Sequence, residues 1–359
     1  MRSLIDICDF TTQELDELMA TAIDIIDTPD KSRDSLNGKI LATLFFEPST
    51  RTRLSFESAM LGLGGSVLGF SGASNSSAAK GETMADTAQV VSHYADIIAT
   101  RHPLEGAPLV ASENASIPVI NAGDGGHCHP TQTLADILTI YREIGRLDHL
   151  RVGFCGDLKY GRTVHSLISA LSRYEGNEIV LISPDELKLP GYIKEEVIGA
   201  SGMKCIEVSE MEEVMPTLDV LYMTRVQGER FASYDEYLRL RDVYTLTTEK
   251  MNLAKEDMIV LHPLPRVNEI SVEVDSDPRA AYFRQAMNGK FMRMALILKL
   301  IGDSEDKTKV SRVRGEGIVH DVACQNPRCV TTNERGLVPS ARVTADGVLR
   351  CVYCDSIVK

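Results

Sequence analysis

The stretch Phe46 to Glu57, FEPSTRTRLSFE, decides how the chain is read. An apolar run, Ile40 to Phe46, ends at Glu47-Pro48. Hydroxyls and cations then alternate through Ser49, Thr50, Arg51, Thr52 and Arg53, and a helical pattern follows. A strand, a turn and a helix N-terminus in that order present unpaired N–H groups at the positive end of a helix dipole. Hydroxyls and a guanidinium added there make a site for phosphate. The plainer alternative is an ordinary Ser/Thr N-cap with exposed arginines, and the chemistry of the stretch leaves both open.

Outward from this stretch, strands alternate with helices. Upstream, Thr11 and Glu14 form a capping-box pattern ahead of a helix that Pro29 closes. Downstream, Gly64-Gly65 ends the phosphate helix and a short strand runs near Val67 to Phe70. Ser71 to Gly81, SGASNSSAAKG, reads as a mobile surface loop. A helix over Thr83 to Tyr94 and a strand over Asp96 to Thr100 follow, with Arg101-His102-Pro103 at the strand's end. Pro118 to Ala122 is a strand and Gly123 to Gly126 a turn. His127-Cys128-His129-Pro130-Thr131-Gln132 then leads into a helix from Pro130 to about Gly145. Two histidines around a cysteine suggest a metal site, but no further ligands sit nearby at metal spacing.

A second alternating unit begins at Arg151 to Asp157, a buried-strand pattern. Tyr160 to Ser166, YGRTVHS, opens a helix. Ile179 to Ile182 and Val220 to Thr224 are strands, the latter running into Arg225 and Gln227. Arg162 and Arg225 thus follow two strands, and two guanidinium forks suit a dicarboxylate; internal ion pairs are the plainer reading. Met258 to Leu261 is a strand ending in His262-Pro263-Leu264-Pro265-Arg266, where two prolines flanking Leu264 should hold the backbone extended. Asp277 to Gly302 reads as a long helix. The expected class is α/β, with two doubly wound parallel-sheet domains.

The 359 residues allow two or three domains. A net charge of −13, from 38 basic and 51 acidic residues, disfavours general nucleic-acid or anionic-membrane binding. Any anion site must therefore be a local cationic pocket. Neither a signal peptide nor a membrane span is read, so a cytoplasmic protein is expected. The segment Asp303 to Glu316, DSEDKTKVSRVRGE, reads as a linker or exposed strand. Beyond it, Cys324-x4-Cys329 and Cys351-x2-Cys354 are separated by 21 residues, a spacing that signals four thiolates around structural zinc. Four cysteines leave no coordination position for water, so the metal is structural. It could supply on the order of 10 kcal/mol of the folding free energy of so small a module.

Ser49 to Arg53 resembles the phosphate signature of the aspartate and ornithine carbamoyltransferases, and the resemblance extends from the N-terminus to about Gly302. The tail, CQNPRCVT…CVYC, resembles the zinc domain of the regulatory chain in the aspartate branch, here a C-terminal all-β zinc ribbon. The resemblance implies a carbamoyl-phosphate-binding domain over 1–133, completed by a C-terminal helix at about 284–302. An aspartate-binding domain over 134–283, a linker over 303–316 and a zinc domain over 317–359 complete the expected organisation.

In that family pattern Ser49, Thr50, Arg51, Thr52, Ser76, Arg101, His129, Gln132, Leu264 and Pro265 hold carbamoyl phosphate. Lys80, Arg162, Arg225 and Gln227 hold aspartate, and Arg51, Thr52, Lys80, Arg101 and His129 act in catalysis. Ser76 and Lys80 would reach a neighbouring subunit's site, which implies a trimer with active sites shared between subunits, and two such trimers could pair into a dimer of trimers. One structural zinc and no organic cofactor are expected, and the implied pathway is de novo pyrimidine synthesis. The nucleotide-binding half of the regulatory chain has no counterpart, so nucleotide feedback is not expected. The ornithine branch is disfavoured because Arg225 would repel a cationic substrate and no cysteine lies in His262 to Pro265. A catalytically silent scaffold is disfavoured by the intact motif set. His127 and Cys128 lie outside the family motifs and have no assigned role.

Overall fold

The computed structural model describes residues 2–226, 239–240, 243–305, 317–344 and 347–358. Gln227 and the linker residues 306–316 lie outside the described residues. The chain divides into two compact units, one of Met1–Thr131 with Lys290–Lys359 and the other of Gln132–Gly289.

The first unit opens with α1 (Thr12–Asp27), whose N-cap Thr11 and Glu14 make the expected capping box. Its sheet contains β1 (Ile40–Phe45), β2 (Ser66–Ser71), β3 (Ile97–His102) and β4 (Val119–Asp124) in the order β2-β1-β3-β4, all parallel. The helices between them are α2 (Thr50–Gly62), α3 (Met84–Val91) and α4 (Ala107–Asn114). Every residue of β3 and β4 is buried, whereas edge strand β2 is exposed or half-buried throughout. This is the burial expected of a parallel sheet covered on both faces, with apolar residues opening the central strands and polar ones such as Arg101 and Asp124 toward their C-terminal ends. Because β1 is flanked by β2 and β3, the chain reverses its direction of winding between β1 and β3. Ligands of doubly wound sheets bind beyond the strand C-termini at such a point.

The chain passes into the second unit within α5 (Pro130–Ile144) and returns within α7 (Tyr282–Glu305). The second sheet has the order β7-β6-β5-β8-β9, again all parallel. Its strands are β5 (Arg151–Cys155), β6 (Glu178–Ile182), β7 (Lys204–Val208), β8 (Val220–Met223) and β9 (Ile259–Leu261), with α6 (Arg162–Leu171) after β5. The winding reverses between β5 and β8. Strand β7 and helix α4 were not anticipated. The β7 pattern, KCIEV, is an exposed edge strand without an apolar run.

Two expectations need correction. Asp303 belongs to α7 and not to a linker, because Arg2 and Lys299 hold its buried carboxylate at 3.6 and 3.8 Å and the helix runs on to Glu305. Ser71 to Gly81 is not featureless. It folds into two 3-10 turns, Ala73–Asn75 and Ser77–Lys80, held by local bonds such as Ala79 N–H to the Ser76 carbonyl.

The tail forms an antiparallel sheet of β10 (Ile318–His320), β11 (Ser340–Val343) and β12 (Leu349–Cys351). It packs on its own first unit. Cys329, Val330 and Tyr353 share one apolar cluster with Ala107, Val110 and Ala111 of α4.

Candidate active site

In the first unit the phosphate stretch follows β1 directly. Phe46 N–H donates to the Arg101 carbonyl at 2.9 Å, which places this turn beside the end of neighbouring β3. Ser49 is the N-cap of α2, yet its hydroxyl makes no capping bond to the helix. Thr50, Arg51 and Thr52 form the first turn. Arg53 takes the plainer role, pairing with Glu57 at 2.6 Å.

Arg101 lies within β3 itself and is buried. Its Nη1 reaches the Ala122 carbonyl at 3.5 Å and its Nη2 reaches Glu47 at 3.4 Å, both long contacts. Arg101 Nε and Glu47 Oε2 are buried with no hydrogen-bond partner, a state that costs free energy until a ligand or water satisfies it. Burial and the nearby Arg101 both push the Arg51 guanidinium below its ordinary value. Two crowded cations, partly offset by Glu47, gain from an incoming phosphate dianion.

Gly123 brings His129 to the same place. A Cβ at Gly123 would lie 3.1 Å from Arg101 Nη1 and 3.4 Å from the His129 ring, and the backbone φ there is +121°. Only glycine fits such a backbone without strain. The sequence marked Gly123 merely as a turn residue and Glu47 as a strand end; their part in the site comes from the fold. Ser76 donates its hydroxyl to the Ala73 carbonyl at 2.9 Å, and Lys80 is exposed.

The second unit presents Arg162 and Arg225 from adjacent strand ends. Arg162 opens α6, and Arg225 lies two residues past β8, the direct neighbour of β5. The two loops are cross-bonded. Thr224 Oγ1 accepts from Asp157 N–H at 2.9 Å and donates to the Cys155 carbonyl at 3.0 Å. Gly156, at φ +114°, leaves no room for a side chain, since a Cβ would meet the Thr224 carbonyl oxygen at 2.4 Å.

Gln132 Nε2 donates to buried Asp136 at 2.7 Å, which also accepts from Gln285 at 2.6 Å and Tyr222 at 3.1 Å. That network fixes the amide so that Gln132 Oε1 is left as an acceptor for an N–H. Around Leu264 the expected extended backbone is absent. Leu264 N–H turns back to His262 Nδ1 at 2.7 Å, its φ is +53°, and the Leu264–Pro265 peptide is cis. With Nδ1 accepting, His262 Nε2 donates to Glu269 at 2.8 Å. Burial alone would raise the Glu269 carboxyl, but the hydrogen bond and charge of His262 and the backbone N–H groups of the loop together outweigh it and hold the group below its usual range. His262 therefore shapes the loop.

The four tail cysteines have their sulfurs within 4.8 Å of one another and are free thiols. Cys324–Cys354 and Cys329–Cys351 are 3.6 and 3.8 Å apart. Disulfides need about 2.05 Å, whereas four thiolates about 2.3 Å from a tetrahedral ion lie roughly 3.8 Å apart. The cluster is thus built for a metal.

Asp124, His127 and Cys128 also lie within ligand range of one another. Asp124, however, already accepts from Gly106 N–H, His127 Nδ1, Cys128 N–H and Asn121 Nδ2, at 2.9, 2.9, 2.9 and 3.1 Å. Burial pushes the Cys128 thiol far above its ordinary value, and it donates to Asp6 at 3.2 Å. A saturated carboxylate and a neutral thiol are poor metal ligands.

The aspartate/ornithine carbamoyltransferase carbamoyl-P binding domain matches residues 2–142, and the Asp/Orn binding domain of the same family matches 148–300. The metal binding domain of the aspartate carbamoyltransferase regulatory chain matches 315–359. The aspartate carbamoyltransferase catalytic subunit of Clostridium acetobutylicum is 62% identical over 301 residues, covering 84% of this chain and 98% of the relative. The catalytic subunit of M. jannaschii aspartate transcarbamoylase superposes with a TM-score of 0.80 at 47% identity, covering 86% of this chain and all of that one. The Trypanosoma cruzi enzyme in complex with N-(phosphonacetyl)-L-aspartic acid gives 0.79 at 41%, covering 83% of this chain and 95% of that one. The chain belongs to the aspartate carbamoyltransferase family and carries, on one polypeptide, catalytic domains followed by a metal-binding module of the regulatory-chain type.

Proposed function

We propose that this protein transfers the carbamoyl group of carbamoyl phosphate to the amino group of L-aspartate, giving N-carbamoyl-L-aspartate and phosphate, a step of pyrimidine synthesis. One observation carries the reading. In each parallel sheet the cations singled out in the sequence stand at the point where the winding reverses, Ser49 to Arg51 with Arg101 at β1/β3 and Arg162 with Arg225 at β5/β8. A Trypanosoma cruzi relative has been solved with carbamoyl phosphate and aspartate together.

In this reading Ser49, Thr50, Arg51 and Thr52 hold the phosphate. Arg101 and His129 donate to the carbamoyl oxygen as negative charge grows on it, the largest single contribution such sites make. Gln132 Oε1 and the backbone carbonyls of Leu264 and Pro265 accept from the carbamoyl amide and the incoming amine. Arg162 and Arg225 take the aspartate carboxylates, each as a bidentate fork; Gln227 joins them by resemblance. The amine attacks the carbamoyl carbon, the C–O bond to phosphate breaks, and the amine proton leaves with the phosphate or to water. No covalent intermediate is required, so positioning supplies most of the rate.

Ser76 and Lys80 would complete the site of a neighbouring copy in a trimer. Two observations support an assembly: Lys80 is exposed, and Leu54 and Leu61, seven residues apart on α2, are each 58% exposed. Cys324, Cys329, Cys351 and Cys354 would hold one zinc ion, which supplies cross-linking of the ribbon and no chemistry. Among the described residues no helix is long and apolar enough to cross a membrane.

The test is a colorimetric assay for carbamoyl-aspartate with aspartate and ornithine in parallel. Product with aspartate alone supports the reading; product with ornithine, or none with either, overturns it.

A further inference from the structure

Among the described residues, polar contacts tie the ribbon to its own first unit at three places, and each lies within four residues of one assigned to catalysis, Arg101, Lys80 or His129. Four residues past Arg101, Glu105 exchanges backbone bonds with the ribbon: its N–H donates to the Arg328 carbonyl at 2.8 Å and its carbonyl accepts from Val330 N–H at 2.9 Å. The Glu105 carboxylate also joins the two sides, accepting from ribbon Asn326 at 2.7 Å and from Gly126 N–H at 3.1 Å. Four residues past Lys80, the ribbon's Glu334 accepts from Met84 N–H at 2.9 Å and so caps α3, whose own N-cap Thr83 takes Asp86 N–H. Two residues before His129, His127 lies between Asp124 and ribbon Asp355, with Nδ1 2.9 Å from the first carboxylate and Nε2 3.0 Å from the second.

The His127 contact is the most specific of the three. A neutral imidazole donates from one nitrogen only, so it would turn a lone pair toward one of the two carboxylates. The protonated ring donates to both. Burial would lower the His127 pKa, but the acidic neighbours and their hydrogen bonds outweigh it and raise the group well above its ordinary value. On the ribbon side Arg342 holds the other Asp355 oxygen at 3.2 Å. On the catalytic side Asp124 closes the loop that presents His129, accepting from Cys128 N–H while its own N–H donates to the Cys128 carbonyl at 3.2 Å. Asp124 also accepts from Gly106 N–H at the start of α4, where the backbone lies so close to Tyr353 that a Cβ would stand 2.6 Å from the tyrosine's.

We propose that the cysteine ribbon is a brace for the carbamoyl phosphate half-site, and that His127 is the positioning residue through which it holds the His129 loop. His127 touches no reacting atom; it acts by tying Asp124 to Asp355. The inference rests on the carbamoyltransferase reading for the identity of the ligand and on the contacts above for the brace.

The test uses the full-length metallated enzyme with His127→Gln, Asp355→Asn and the double variant. Three quantities are measured: zinc per chain, hydrogen exchange of peptides spanning 104–110 and 124–129, and KM for each substrate. Loss of a charge-assisted bond between half-buried partners predicts about tenfold faster exchange at 124–129 in either single variant. Carbamoyl phosphate KM should rise about five- to twentyfold, with the aspartate KM within about twofold and zinc retained. The double variant should be no worse than the singles, because both remove one bond. Unchanged exchange and unchanged carbamoyl phosphate KM in His127→Gln, or fully additive effects in the double variant, would overturn the proposal. If His127→Gln fails to fold, Asp355→Asn applies the same criteria from the half-buried ribbon side. If the wild-type enzyme makes no carbamoyl-aspartate, the functional reading fails while the exchange measurement still decides the brace.

Discussion

Arg101→Ala separates a functional arginine from a structural one. In the folded chain this guanidinium makes two long contacts, 3.5 Å to the Ala122 carbonyl and 3.4 Å to Glu47, and its Nε has no partner. A well-formed hydrogen bond contributes about 0.5–1.5 kcal/mol net, and bonds this long contribute less. Removing Arg101 also relieves its repulsion of Arg51. Stability should therefore change by about 1 kcal/mol or less. Turnover should fall much further, by roughly 10²–10³-fold, about 3–4 kcal/mol of lost transition-state stabilisation. Arg101→Lys keeps the charge but not the fork, so it should recover only part of the loss. Carbamoyl-aspartate formation and a urea unfolding midpoint, measured on the same preparations, give both quantities. Turnover within tenfold of wild type, or an activity loss that tracks a comparable loss of stability, would refute the assignment.

Three further outcomes are expected. Gly156→Ala should drive a Cβ into the Thr224 carbonyl oxygen, now 2.4 Å from that position, costing about 1–3 kcal/mol and raising the aspartate KM as the Arg225 loop shifts; urea titration and steady-state kinetics check it. Cys351→Ser should abolish stoichiometric metal, measured by elemental analysis, and loosen α4, since Cys351 and Ala107, Val110 and Ala111 share one apolar cluster. Glu14, hydrogen-bonded by Arg2, is lowered to about 2, below its unfolded value of about 4.3. Its contribution is therefore present above about pH 4.3 and lost as pH falls toward 2. The stability gap between wild type and Glu14→Gln, about 1–2 kcal/mol after solvent screening, should be constant above pH 5 and shrink below pH 4; a gap that widens on acidification contradicts it.

Much of the architecture was legible because its signals are local. The capping box at Thr11 and Glu14, the apolar runs of β1, β5 and β8, and Pro130 at the start of α5 each report a backbone preference carried by a few neighbouring residues. Strand β7 escaped notice because an exposed edge strand needs no apolar run. The Leu264 loop was misread because two prolines constrain φ on either side, while the turn itself depends on His262 accepting the Leu264 N–H.

Residue chemistry and spacing along the chain were enough to nominate the ligand groups: Ser49 to Arg51, Arg101, His129, Arg162, Arg225 and the four tail cysteines. Which of them become neighbours depended on strand order, and strand order is a non-local property. The reversal of winding sets β1 against β3 and β5 against β8, so that cations about fifty or sixty residues apart emerge side by side. The same holds for His127. Its two neighbouring carboxylates come from Asp124, three residues away, and Asp355, which only the folding of the tail onto the first unit brings within 3.0 Å.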